Sequence, residues 1–114
     1  KHMRKYLVIK REFSFLESEY GFREYMKQES GSYYFSSFTN GKKDIMILYD
    51  DAAHSEVENP VWIRVFDADS LGTYADGEEF RSEFFIPSGS PQERIHCAAL
   101  WLREAIKNKT VSIE

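Results

Sequence analysis

The fold is set by residues 33–49, which read YYFSSFTNGKKDIMILY. The residues on both sides of Asn40-Gly41 are rich in aromatic and β-branched side chains, as strands are. The Asn-Gly pair is typical of a two-residue type I′ turn, because both turn residues must adopt a positive φ. We therefore predict an antiparallel hairpin across this turn. Its register would set two pairs opposite each other, Phe35 with Met46 and Tyr34 with Ile47.

Further strands are expected before and after this hairpin. The turn-rich segment 29–32 separates two strand-like runs and predicts a second hairpin. Farther along the chain, Pro60 leads out of a loop into a run with β-propensity and alternation. Residues 67–77 are expected to form a loop or a short irregular helix. The expected strands are residues 22–26, 33–38, 44–49, 61–66 and, at an edge of the sheet, 78–86.

Two amphipathic helices flank the strands. Between residues 5 and 20, apolar side chains recur at steps of three and four, which indicates one continuous helix that Gly21 stops. The competing interpretation is a strand over residues 6–9 followed by a short helix. Near the other end, Ser90-Pro91-Gln92-Glu93 has the pattern of a capping box and predicts a helix that runs to residue 107. The expected inner face of that helix is Ile95, Ala98, Ala99, Leu102, Ala105 and Ile106.

The order of helix, antiparallel strands and helix predicts an α+β fold. We expect an antiparallel sheet of four or five strands, with the N-terminal and C-terminal helices packed on it. The chain has 114 residues, of which 42% are hydrophobic, so it can form one packed core. Lys1 and His2 precede Met3 and resemble a vector remnant. We therefore expect a single domain over residues 3–114.

Composition narrows the classes of function. The net charge is −4, and no apolar run approaches the roughly 20 residues of a membrane span, so we expect a cytoplasmic protein without membrane contact. A single cysteine, Cys97, allows no internal disulfide and no cysteine-based zinc site. Nucleic acid is disfavoured as a partner, because lysine and arginine are not concentrated in one basic patch.

Two groups of residues invite a catalytic or metal-binding hypothesis. Asp50, Asp51 and His54 could serve a small hydrolase or a metal site, but a catalytic set needs an orienting group that the sequence does not place. His96 and Cys97 are neighbours on a helix and point about 100° apart, so they cannot readily share a proton. We therefore predict no catalytic residue, no metal and no cofactor, and a protein that is not an enzyme.

Charge distribution is the strongest functional signal in the sequence. Residues 50–80 carry nine acidic side chains against one base, Arg64, which leaves a balance of minus eight. Clustered like charge costs stability, so it often marks a surface that matches a basic partner; the alternative is a solvated acidic face. Asp67 and Asp69 do not begin a calcium loop, because the required glycine and glutamate are missing. The predicted partner-binding residues are Asp50, Asp51, Glu56, Glu58, Asp67, Asp69, Tyr74, Asp76, Glu78 and Glu79, with Tyr74 as an aromatic anchor.

Residues 5–66 resemble the small cytosolic immunity proteins of bacterial polymorphic toxin systems, including those of contact-dependent growth inhibition. The resemblance lies in an amphipathic first helix with an aromatic-Gly-Phe end and in the strands that follow. The residues that carry it are Phe13-x-Phe15-Leu16-x-x-x-Tyr20-Gly21-Phe22, Tyr33-Tyr34-Phe35, Asn40-Gly41 and Ile45-Met46-Ile47-Leu48-Tyr49-Asp50. It implies a protein that binds and neutralises the toxin domain of its own strain, with carboxylates facing a basic surface, often that of a nuclease.

Two alternatives remain open at this point. An intracellular adaptor or structural subunit would use the apolar flank of the last helix, formed by Cys97, Leu100 and Trp101, which could equally be a second packing layer. The other alternative is the small hydrolase with Asp50, Asp51 and His54 described above.

Overall fold

The computed structural model describes residues 4–68 and 77–114. Its helices are α1 (Lys5–Glu12), α2 (Phe15–Tyr20) and α3 (Pro91–Lys107), and a short 3₁₀ helix covers Ser82–Phe84. Its strands are β1 (Arg23–Ser30), β2 (Tyr33–Thr39), β3 (Lys43–Asp50), β4 (Val61–Asp67) and β5 (Glu78–Phe80). They form one antiparallel sheet in the order β1-β2-β3-β4-β5, which confirms the predicted fold class. The expectations for residues 1–3 and for Asp69, Tyr74 and Asp76 lie outside the described residues.

The N-terminal helical segment is broken in two, so the prediction of one continuous helix was wrong, as was the alternative strand over residues 6–9. α1 ends at Glu12 and α2 begins at Phe15, with Phe13 and Ser14 between them. Both Phe13 and Phe15 are buried. Residues two positions apart point about 200° apart on a continuous helix, so an unbroken helix could not bury both rings in one core. Gly21 ends α2 with a φ of 72°, as predicted.

β1 and β2 are joined by a tight turn of two residues. Ser30 pairs with Tyr33, which leaves Gly31 and Ser32 as the turn, and Gly31 has a φ of 60°. Glycine with positive φ at the first turn position fits a type II′ hairpin. Because this turn needs so few residues, β1 extends to Ser30, beyond the predicted end at residue 26.

The β2–β3 hairpin is present, but its predicted register was wrong. The observed pairs are Phe35 with Leu48 and Tyr34 with Tyr49. Asn40 causes the shift, because its Oδ1 accepts hydrogen bonds from the amides of Lys42 (2.9 Å) and Lys43 (2.7 Å) and builds a loop of four residues between Thr39 and Asp44. A shift by two residues leaves every side chain on its predicted face of the sheet.

All three α-helices lie on one side of the sheet. α1 packs over β2, α3 packs over β4, and α1 and α3 contact each other. The six predicted inner-face residues of α3 are all buried, and the start of the helix is the predicted capping box. Fully buried core side chains include Ile9, Phe13, Leu16, Phe38, Ile45, Ile47, Ile63, Ile95 and Leu102.

The edge strand β5 is much shorter than the predicted strand over residues 78–86. Only Glu78–Phe80 belongs to the sheet, and the chain then enters the 3₁₀ helix. The change occurs at Arg81, whose Nε donates to the backbone oxygen of Asn59 at 2.6 Å. This hydrogen bond holds Arg81 against the end of the loop between β3 and β4. The chain therefore leaves the extended path that a longer β5 would need.

The apolar flank of α3 divides into a packed part and an exposed part. The Trp101 ring centroid lies 4.8 Å from that of Phe80 and 5.5 Å from that of Phe84, so this side chain forms a second packing layer. Cys97 is half-buried, whereas Leu100 is 55% exposed. No helix within the described ranges is long and apolar enough to cross a bilayer.

Candidate binding surface

The face of the sheet that points away from the helices is also apolar. Strand alternation sends Ile45, Ile47 and Tyr49 of β3 into the helix-covered core, so Met46 and Leu48 point the other way. Leu48 lies between Phe35 of β2 and Trp62 of β4. Cross-strand neighbours share a face, so these apolar side chains form one surface. We call this surface the open face: Tyr33, Phe35, Met46, Leu48 and Trp62.

The open face contains a shallow depression. Its volume is about 350 Å³, and Ser30 joins the five open-face residues in lining it. Tyr33 at its border is 41% exposed, Phe35, Leu48 and Trp62 are part-buried, and Met46 is buried. None of the helices described in residues 4–68 and 77–114 packs on this side. A continuous apolar surface that remains partly accessible is typical of a contact site for another molecule.

Trp62 is held in place by a neighbouring cation. The guanidinium carbon of Arg81 lies 4.3 Å from the Trp62 ring centroid, a cation–π contact. Arg81 is itself fixed by its bond to Asn59 and by Glu58, whose carboxylate lies 3.7 Å from Nη2. An aromatic anchor that is positioned before binding loses little side-chain freedom when a partner arrives.

Polar groups border the open face along β3. At one end of the strand, Asp44 accepts a hydrogen bond from the Tyr25 hydroxyl at 3.0 Å through Oδ2, and its Oδ1 is buried without a hydrogen-bond partner among the described residues. At the other end, Asp50 accepts from the Ser32 hydroxyl (3.0 Å) and from the Ala52 amide (2.9 Å). Six residue steps separate these two carboxylates, which corresponds to about 20 Å along a strand.

The predicted acidic residues form two groups at opposite ends of β4. Asp50, Asp51, Glu56 and Glu58 lie at or after the end of β3, in the segment that leads into β4; we call them the acidic end. Asp67 closes β4 at its other end, and Glu78 lies near it, opposite Val65. Glu79 pairs with Arg64 and therefore lies on the side of the open face. The structure thus brings the acidic end next to the open face and places Asp67 and Glu78 at the far end.

Three bases from outside residues 50–80, Lys5, Lys43 and Arg81, offset part of the predicted acidic balance. Four of the described acids have a basic partner within 4 Å. The pairs are Asp51 with Lys5 (3.3 Å), Glu58 with Arg81 (3.7 Å), Asp67 with Lys43 (2.7 Å) and Glu79 with Arg64 (3.5 Å). Glu56 and Glu78 are exposed, and neither has an ion pair with another described residue. The net negative charge of the surface around these acids is therefore smaller than the sequence of the segment alone indicates.

The residues of the hydrolase hypothesis have other roles in the structure. Asp50 is bonded to Ser32, Asp51 pairs with Lys5, and the exposed His54 follows them in the loop. Within the described parts of the chain, no group of three His, Cys, Asp or Glu residues is arranged to hold a metal ion. On α3, His96 contacts Glu12 of α1 at 2.7 Å through Nδ1 and so joins two helices.

The open face was missed by the sequence interpretation, although a signal for it exists. In β3, both alternating sets of side chains are apolar, which normally indicates a strand covered on both sides. The two flanking helical regions suffice to cover only one side.

Comparison of the chain with protein-family models, with curated proteins and with solved structures finds no match.

Proposed function

We propose that this protein is a cytoplasmic immunity protein that binds and neutralises a cognate toxin domain. The observation that carries the proposal is the open face, a partly accessible apolar depression next to the acidic end. This arrangement matches the usual anatomy of a protein interface, with an apolar centre and a polar rim. In this proposal the protein acts by binding and not by catalysis.

The chemistry of the rim favours a basic partner. The acidic end adds carboxylates on one side of the open face, and the chain as a whole has a net charge of −4. A nuclease toxin must carry lysine and arginine to hold the phosphate backbone of its substrate. Carboxylates that approach such a surface speed the encounter and compete for the same bases. Covering that surface would block the access of nucleic acid and so neutralise the toxin.

The far-end acids take a smaller part in this proposal. Asp67 and Glu78 are separated from the acidic end by the length of β4, about 20 Å, which exceeds the Debye length of about 8 Å at physiological salt. At physiological salt their attraction for a toxin bound at the acidic end is largely screened, so they are expected to contribute little, and mainly at low salt. The open face supplies most of the affinity, because desolvated aromatic and aliphatic anchors carry most binding energy.

The test uses the toxin domain encoded next to the gene of this protein, since immunity genes of this class normally lie just downstream of their toxin gene. Leu48→Lys, at the centre of the open face, should weaken binding by at least about 30-fold and abolish protection of cells. The matched control is Leu100→Lys, which puts the same charge on an exposed leucine of α3. Equal loss in both variants, or no loss at Leu48, would contradict the proposed surface; loss at Leu100 alone would favour the adaptor with the α3 flank.

Charge reversal separates the contact from long-range attraction. Glu56→Lys at the acidic end should lower the association rate several-fold at low salt, and the difference should shrink at high salt. Glu78→Lys at the far end should have a smaller effect of the same kind. If both variants bind like the wild type at every salt concentration, the acids do not face the toxin.

A further inference from the structure

The outer edge of β1 is the longest unpaired strand edge in the described part of the sheet. β1 has eight residues and has only β2 as a described neighbour, whereas the opposite edge strand β5 has three residues. All residues of β1 except Glu24 are exposed, and Met26 is 41% exposed. An exposed edge of this length offers backbone donors and acceptors to another strand.

Only part of β1 is regular enough to pair. The register with β2 shifts between Glu24 and Met26, which marks a β-bulge at Tyr25. From Met26 to Ser30 the pairing with β2 is continuous. In this stretch Met26, Gln28 and Ser30 share the side of the open face, and Lys27 and Glu29 lie on the helix side.

The charges in this stretch select one register of pairing with a second copy of the same strand. Two antiparallel copies related by a two-fold axis match their faces only when one residue lies opposite its own copy. Placing Lys27 or Glu29 at that position sets like charges opposite each other, which is destabilising. Placing Gln28 there sets Lys27 opposite Glu29 twice, and every charge in the stretch then has an opposite partner.

A depression beside this edge can receive the second copy. It has a volume of about 250 Å³ and is lined by Arg4, Tyr6, Lys27, Gln28 and Glu29. Lys27 stands over the Tyr6 ring, with Nζ 5.3 Å from the centroid, and Arg4 Nη1 lies 3.6 Å from Glu29. The depression therefore carries two bases and one acid, and its excess positive charge complements Glu29 of a second copy.

We propose that the protein forms a symmetric dimer through antiparallel pairing of residues 26–30 of β1, with Gln28 opposite Gln28 of the second copy. The pairing joins two five-stranded sheets into one, with both open faces on the same side. It uses none of the five open-face residues and none of the acidic end, and only Ser30 also lines the open-face depression, so it stands independently of the toxin proposal.

The first test is a charge swap, read out by sedimentation equilibrium. The wild type should approach twice its mass of 13.4 kDa as its concentration rises. Lys27→Glu places two pairs of like charges in the ladder and should raise the dimer dissociation constant by about tenfold or more. Glu29→Lys should do the same, and the double variant with both changes should restore the dimer. A monomeric wild type, or a double variant no better than the singles, would overturn the proposal.

The second test fixes the register. In a Cys97→Ala background, Gln28→Cys should form an intermolecular disulfide readily on mild oxidation, because directly opposed residues lie within disulfide range. Ser30→Cys is the matched control, because its two copies would be four residue steps apart, or about 13 Å. Equal cross-linking at both positions would show random collision, and preferential cross-linking at Ser30 would show another register.

Discussion

At the scale of single residues, Lys5 and Tyr49 show how α1 is tied to the sheet. The Lys5 ammonium lies 5.8 Å from the Tyr49 ring centroid, 5.4 Å from that of Tyr34 and 3.3 Å from the Asp51 carboxylate. Tyr49 is only 5% exposed. Burial raises the pKa of the Tyr49 phenol above its ordinary 10.0, and the charge of Asp51 adds to this, while Arg94 opposes it.

This raised pKa gives the protein a specific sensitivity to alkali. Between the unfolded and the folded pKa, the folded state keeps a proton that the unfolded state has lost, so the free energy of unfolding falls as pH rises. The stabilisation that comes from this raised pKa is fully present below about pH 10 and is lost as the pH rises through the folded-state pKa. Tyr49→Phe should therefore lose less stability than the wild type over this alkaline range in urea denaturation. Tyr33→Phe, at an exposed tyrosine, is the control; equal alkaline losses in the wild type and Tyr49→Phe would contradict the expectation.

At the scale of elements, the features that could be predicted from sequence are those set by local contacts. α3 begins where expected, because Ser90 Oγ accepts from the Glu93 amide (3.1 Å) and Glu93 Oε1 accepts from the Ser90 amide (2.8 Å). All the signals for this start lie within four residues. The hydrogen bond from the Ser90 backbone amide also holds the pKa of Glu93 below its ordinary 4.5, because this bond favours the charged carboxylate.

The features that could not be predicted depend on distant parts of the chain. Asn40 fits a two-residue turn locally, but its Nδ2 donates to the backbone oxygen of Ile113 at 2.7 Å, a contact across 73 residues. Its Oδ1 meanwhile binds the loop amides, and the register of β2 and β3 follows from both contacts. The break between α1 and α2 likewise depends on burying Phe13 and Phe15 in a core that other elements complete.

The contribution of the α3 capping box to the stability of the protein can be measured directly. Ser90→Ala removes the side-chain acceptor for the Glu93 amide and should cost about 1 kcal/mol of unfolding free energy. For a domain of this size the melting temperature should fall by about 4 °C. Ser88→Ala, two residues before the capping Ser90, should change the melting temperature far less. A Ser90 variant as stable as the Ser88 variant would show that water caps the helix equally well.

At the scale of the whole molecule, chain order predicts where the described acids lie relative to β4, but not which groups surround them. That the two acidic groups would flank β4 followed from chain order alone. The bases that offset these acids lie elsewhere in the sequence: Lys5 in α1, Lys43 in β3 and Arg81 just after β5. Only the folded chain brings them close to the acids. The open face also needed the tertiary structure, because apolar alternation does not tell which side the helices cover.

The one-sided coverage of the sheet leads to a sharp expectation for two adjacent residues of β3. Ile47 is fully buried under the helices, whereas Leu48 points to the open face. Ile47→Ala should cost about 2–5 kcal/mol, a large share of the roughly 5–15 kcal/mol that stabilises a domain.

Leu48→Ala should cost less, about 1–2 kcal/mol, because the Leu48 side chain is only part-buried and leaves a smaller cavity than a core residue does. Urea denaturation gives both values, with an unchanged slope showing that the same two states are compared. Comparable losses at the two positions would mean that the open face is as well covered as the core. Such a face could not receive a toxin, so this pair of variants tests the proposed function without any knowledge of the partner.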